Sequence, residues 1–195
     1  MENIKNRDRI LKGNIRKTLI SLALPVVLAN AIQTVYQLVD TYWVSKLADG
    51  DISVAAVSFV WPMVFVTMAF GIGINIAGTS MISQYIGLGK EREATKVAGQ
   101  LVSFSFLVST VLGAAGMLFG RKLLALLGAE GLIYTYGWQY LGAIFLGMPT
   151  MFVFFAFQSI KQGQGDTVTP MILSGVSVVL NIFLDPLFMF TFGKF

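Results

Sequence analysis

Two of the ten acidic residues, Asp40 and Asp185, stand inside apolar runs, and no other side chains in this sequence are better placed to do chemistry. Asp40 is the one charged residue between Lys17 and Lys46, and Asp185 the one between Asp166 and Lys194. A charged Asp deep in a lipid-facing helix costs about 2.5–3.5 kcal/mol, so such a residue is expected to face a water-accessible cavity and to bind something there. Two carboxylates withdrawn from water together hold a proton or a small cation such as Na⁺ more readily than either does in solution. The chemistry expected is therefore reversible ion binding. With neither Cys nor His in the chain, thiolate nucleophiles, Cys or His metal sites, imidazole relays and Ser-His-Asp triads are excluded.

The neighbours of both acids are polar at helical spacing. Asn30, Gln33, Tyr36, Gln37 and Asp40 recur at three- and four-residue steps and make one stripe; Ser174, Ser177, Asn181 and Asp185 make a second. Pro186 follows Asp185, removes a backbone donor and frees the carbonyl of Ile182, which suits a cation or an ordered water. Blander readings compete with each feature. Asp40 snorkels to the interface or caps its helix, Asp185 marks a helix end, and the stripes are interhelical hydrogen-bond glue.

The elements that must carry these residues follow from composition. Of 195 residues, 55% are apolar and 12% charged, against about 25% charged in soluble domains. The mean hydropathy is +0.74. Lipid is the expected solvent, and the fold class is an all-α polytopic membrane protein. Charges punctuate five apolar stretches, read as helices over 18–45, 53–86, 96–119, 133–160 and 168–192, preceded by a basic tail at 1–17. The second is too long for one upright span and too short for two, so it is expected to be tilted, to project into the cytoplasm and to loosen around Gly71 and Gly73. The polar start of the chain does not read as a cleavable signal peptide.

The fourteen Lys and Arg residues fall ten to one side and four, Lys46, Arg121, Lys122 and Lys194, to the other. Excess cytoplasmic Lys and Arg puts the N-terminus inside and residue 195 outside, in a cell membrane. Tyr42, Trp43, Tyr134, Tyr136, Trp138 and Tyr140 then fall near the outer interface. The first and fifth helices run parallel in this topology, so Asp40 and Asp185 share the outer half of the bilayer and meet if those helices pack. The net charge of +4 is explained by these loop blocks, and no nucleic-acid partner is expected.

Smaller signals have smaller readings. Gly71, Gly73, Ala77 and Gly78 resemble a close-packing face. A nucleotide-binding loop is excluded there, since no strand pattern precedes the run and Gly89-Lys90 lacks the following Ser or Thr. Pro25 and Pro149 are expected to bend their helices, Pro25 as a hinge together with Pro186. Gly163, Gly165 and Asp166 form a tight turn, and Pro170 opens the fifth helix. The nine Met and sixteen Phe face lipid or fill gaps, a few lining a greasy cavity.

Several stretches resemble one family. LALPVVLANAIQTVYQLVDTYWVSKL is similar to the first helix of multidrug and toxic compound extrusion (MATE) exporters. FGIGINIAGTSMISQYIGLGKEREA resembles their second helix and following loop, and GQGDTVTPM and LNIFLDPLFMF resemble the turn and fifth helix. The resemblance runs from about residue 15 to 193 and points to the prokaryotic damage-inducible-protein branch. It implies five helices of a six-helix N-terminal lobe, the sixth helix and a second lobe lying beyond residue 195. It implies a cation-coupled antiporter rather than an enzyme, without cofactors, exchanging H⁺ or Na⁺ for amphiphilic or cationic small molecules. It places the ion site on Asp40, Asp185, Asn181 and Tyr36, with Gln33, Gln37, Asn30 and Ser177 as cavity-lining polar groups. Gln162 and Ser45 depart from the Arg and Gly common in the family. A lipid-linked precursor flippase and a non-transporting membrane remnant or scaffold are the alternatives.

Overall fold

A computed structural model describes residues 14–46 and 50–188. Among these residues the helices are α1 (Ile15–Ser45), α2 (Gly50–Gly87), α3 (Glu91–Leu126), α4 (Gly131–Gly163) and α5 (Val168–Leu187). All five are long and apolar enough to cross a membrane. The basic tail up to residue 13, and residues 189–192 of the expected fifth span, lie outside the described residues. The helix starts within the expected tail, at Ile15, because the Asn14 side-chain carbonyl accepts from the N–H groups of Arg16 and Lys17 at 3.1 and 3.4 Å.

The helices fall into two compact units. The first comprises residues 1–50 and 164–195, the second residues 51–163. In the first unit α1 and α5 pack on each other, and Thr18, Pro25, Pro170 and Val178 are buried. Chain order alone does not bring them together, since three helices intervene.

The second unit holds α2, α3 and α4. Its core joins Val60 and Val64 of α2 to Leu124 of α3 and to Leu141, Phe145, Met148 and Phe152 of α4. The expected loosening at Gly71 and Gly73 does not occur. α2 is helical without a break over 38 residues, about 57 Å at 1.5 Å per residue, roughly twice a hydrocarbon core. Gly71 is small because the Phe155 ring occupies the space where its Cβ would stand, whereas Gly73 faces open space. Pro62 lies inside the same helix.

Glycine also closes two of the turns. At Gly89 (φ 73°) and Gly128 (φ 85°) the chain enters the left-handed region. The N–H groups of Gly89 and Lys90 then reach the carbonyls of Ile86 and Tyr85, and those of Gly128 and Ala129 reach Ala125 and Leu124. These paired bonds satisfy carbonyls that a helix end would otherwise leave without a protein partner.

On α3, Gly113, Gly116 and Gly120 admit Phe145 and Trp138 of α4. Pro149 lacks an N–H, so the Phe145 carbonyl loses its helical donor, and this oxygen points at Gly113. A Cα–H group of glycine is a weak donor suited to it.

Candidate functional site

The site expected from the sequence lies within the first unit, on α1 and α5. α5 starts where Asp166 accepts from the Thr169 N–H at 3.0 Å, one residue before Pro170, whose missing donor costs nothing in a first turn. The helix continues through Pro186, and the Phe188 N–H still reaches the carbonyls of Leu184 and Asp185. Asp185 therefore sits in the last described turn of α5. Asp40 is followed by five more helical residues of α1 and is not a cap. Lys46, the nearest cation along the chain, lies over the Tyr42 ring at 5.2 Å.

Asp40 and Asp185 are both half-buried, and the carboxylates are within electrostatic reach of each other. Oδ2 of Asp185 is withdrawn from the surface and has no hydrogen-bond partner among the described residues. One turn before each acid stand Tyr36 and Asn181, also half-buried. Both acids and these two neighbours are thus less exposed than the other groups that make up the α1 stripe, on two helices that pack on each other.

The rest of the first stripe flanks this face. Asn30, Gln33 and Gln37 are exposed, as is Ser177, which lies about 40° around α5 from Asn181 at 100° per residue. Thr34 and Thr41 turn their hydroxyls back onto the carbonyls of Asn30 and Gln37, at 2.9 and 2.8 Å, and present little polarity outward. Pro25 is buried and Pro186 half-buried, each inside its helix.

The donor set consists of hard oxygens: two carboxylates, a phenol and a carboxamide. Among the described residues no group of three or more Asp, Glu, His or Cys side chains converges as a metal site. Two carboxylates with neutral oxygens suit a proton or one small monovalent cation better than a tightly caged divalent ion.

The second unit contains a different kind of space. An open groove of about 540 Å³ runs between α2 and α3, lined by residues including Ala69, Gly73, Ala77, Met81 and Phe104. It offers apolar contact only. The small residues expected to form one packing face are therefore divided, Gly71 receiving α4, Gly73 and Ala77 bordering the groove, and Gly78 doing both. Sequence inspection missed the polar contacts across this unit. Asn75 donates to the Phe155 carbonyl at 3.1 Å and Thr79 to the Ser159 carbonyl at 3.4 Å. Their signal is a polar pair four residues apart on an apolar helix.

Comparison with known proteins gives one consistent family. The MatE family model matches residues 25–187. A probable multidrug resistance protein, YoeA, of Bacillus subtilis is 33% identical over 186 residues, 94% of this chain and 40% of its own length. An FAD transporter of Shewanella oneidensis is 26% identical over 98% of this chain and 42% of its own length. Among solved structures, the outward-facing conformation of a multidrug resistance MATE family transporter of the MOP superfamily superposes with a TM-score of 0.89 at 26% identity. It covers 95% of this chain and 41% of that one. The chain spans about two fifths of the length of the curated relatives it matches.

Proposed function

The chain belongs to the MATE family of multi-pass membrane transporters, which are not enzymes, and we propose that it forms the first lobe of a secondary antiporter exporting amphiphilic organic cations against inward flow of H⁺ or Na⁺. What supports this reading is the packing on each other of α1 and α5, the helices that carry Asp40 and Asp185, with Oδ2 of Asp185 buried and unpartnered among the described residues. An ion held there neutralises charge that the apolar surroundings penalise. Its release leaves two like charges facing each other at reduced dielectric, so the loaded and empty states favour different packings of α1 on α5. Pro25 and Pro186 are the points at which those helices bend between the two.

Tyr36 and Asn181 complete the ion's oxygen shell, and Asn30, Gln33, Gln37 and Ser177 line the path of the cargo. Apart from helix ends, the spans contain no Lys or Arg, which favours cationic over phosphate-bearing cargo and weighs against a lipid-precursor flippase. A second lobe completes the central cavity. The membrane is the cell membrane, with the N-terminus cytoplasmic.

The test is efflux from proteoliposomes containing the complete reading frame, under an imposed H⁺ or Na⁺ gradient. Asp40→Asn and Asp185→Asn are each expected to abolish gradient-driven flux while leaving membrane insertion intact, and the gradient that drives the unaltered protein identifies the ion. Undiminished flux in both variants removes the coupling site.

A further inference from the structure

Three serines of the second unit, Ser105, Ser109 and Ser159, are fully buried. A helical Ser in an apolar medium ordinarily donates to a carbonyl three or four residues back. Ser109 does so, to Phe106 at 2.9 Å. Ser105 and Ser159 do not, and neither hydroxyl has a partner among the described residues; only Ser159 faces an amide from another helix that holds one of its acceptors.

One of the two acceptors open to Ser159, the Phe155 carbonyl four residues back, is already engaged. That oxygen has two lone pairs. Within a continuous helix one serves the Ser159 N–H, and the other takes the Asn75 amide, which arrives from α2 at 3.1 Å. Ser159 Oγ is left against Gly78, where a Cβ would collide with it. Thr79 stands in a similar relation to its own helix. It donates to the Ser159 carbonyl on α4 at 3.4 Å, a long bond. Thr67 on the same helix and Thr95 on α3 donate instead to their own carbonyls four residues back, at 3.0 Å each.

We infer that the α2–α4 seam is a two-state latch, in which Asn75 of α2 and the Ser159 hydroxyl of α4 compete for the Phe155 carbonyl. In the closed arrangement Asn75 holds that oxygen and Ser159 is displaced. When α2 draws away from α4, a rotation about the Cα–Cβ bond of Ser159 puts its hydroxyl on Phe155, and Thr79 turns back to the carbonyl of Asn75. The acceptors are satisfied again within each helix, and only the Asn75 amide is released. A seam built this way parts with both hydroxyls rehoused on carbonyls of their own helices, rather than left without partners in an apolar medium. Gly78 and Gly71, which admit Ser159 and Phe155, let the seam close again at short range. The latch gives α2 a defined movement relative to α4, independent of which ion the carboxylates bind.

The test uses the complete reading frame in lipid nanodiscs, with spin labels on Cys introduced at the exposed positions Ile76 and Thr150; the chain itself contributes no Cys. Ser159→Ala removes the donor of the open arrangement and is expected to lower the longer-distance population by roughly three- to fivefold, the worth of one neutral hydrogen bond. Asn75→Leu removes the donor of the closed arrangement and is expected to raise that population by a similar factor. Asn75→Ser, too short to reach α4, does the same and serves if the Leu variant is not inserted. Opposite shifts for the two positions support the latch. Shifts in the same direction, or one unchanged distance throughout, overturn it.

Discussion

Gly113 and Gly73 make a controlled pair, because both are helical glycines in long apolar helices and only their surroundings differ. Replacing either with Ala gains about 0.8–1 kcal/mol from helix propensity, much of it through the unfolded chain, so that gain cancels between them. At Gly73 the added Cβ meets nothing within 4 Å, and Gly73→Ala is expected to be neutral or stabilising. At Gly113 it would stand 2.6 Å from the Phe145 carbonyl oxygen, a backbone atom that no rotamer change moves. Carbon–oxygen contacts settle at about 3.3–3.6 Å, so α3 and α4 must part by roughly 0.7–1 Å. That separation loosens the Phe145 ring, which lies where a Cβ of Gly116 would come within 2.5 Å of it. Overpacking of this kind costs about 1–3 kcal/mol. Gly113→Ala is therefore expected to be less stable than Gly73→Ala by that amount, measured as denaturant unfolding in detergent followed by tryptophan fluorescence. Equal stability of the two variants would refute the close approach of α3 and α4 at the carbonyl freed by Pro149.

Three further outcomes are expected. Asp185→Asn removes a charge from an apolar span, so it raises unfolding stability, by up to about 2.5–3.5 kcal/mol, in the preparation in which it stops efflux; a less stable variant would mean the carboxylate is structural. Asp166→Ala strips the acceptor from the Thr169 N–H and lowers stability by about 1 kcal/mol, and Asp166→Asn, which keeps an acceptor, recovers most of it in the same unfolding assay. The Arg121 guanidinium lies over the Trp138 ring at 5.0 Å, so Arg121→Gln shifts the emission of Trp138 in a protein lacking the other two tryptophans and costs about 0.5–1 kcal/mol; an unmoved spectrum removes that contact.

The two acids were visible in the sequence because a carboxylate in an apolar run is conspicuous in one dimension. That they meet is an expectation from topology, since equal depth on parallel helices permits contact without requiring it. The neutral oxygen groups were harder to sort. The three- and four-residue spacing of Asn30, Gln33, Tyr36, Gln37 and Asp40 puts them on one side of α1, but Tyr36 and Asp40 are half-buried while the other three stay exposed. Gly71 and Gly73 show the same limit more sharply. The same residue type two positions apart receives a phenyl ring in one case and faces open space in the other, and an expected weak point in α2 proved to be a continuous helix.

Composition and the spacing of charge determined by themselves that this chain makes five membrane-spanning helices, because a backbone in lipid must satisfy its own hydrogen bonds and charged residues must sit where water reaches. Which faces meet was decided by tertiary structure alone. A helix that is apolar on nearly every side, as α2 is, carries no stripe that distinguishes a neighbour from lipid, and the polar stripes of α1 and α5 do not name their partner. The pairing of α1 with α5 and the seat of Phe145 among the α3 glycines depend on shape, and the hold on the Phe155 carbonyl on a single hydrogen bond between residues distant in the chain.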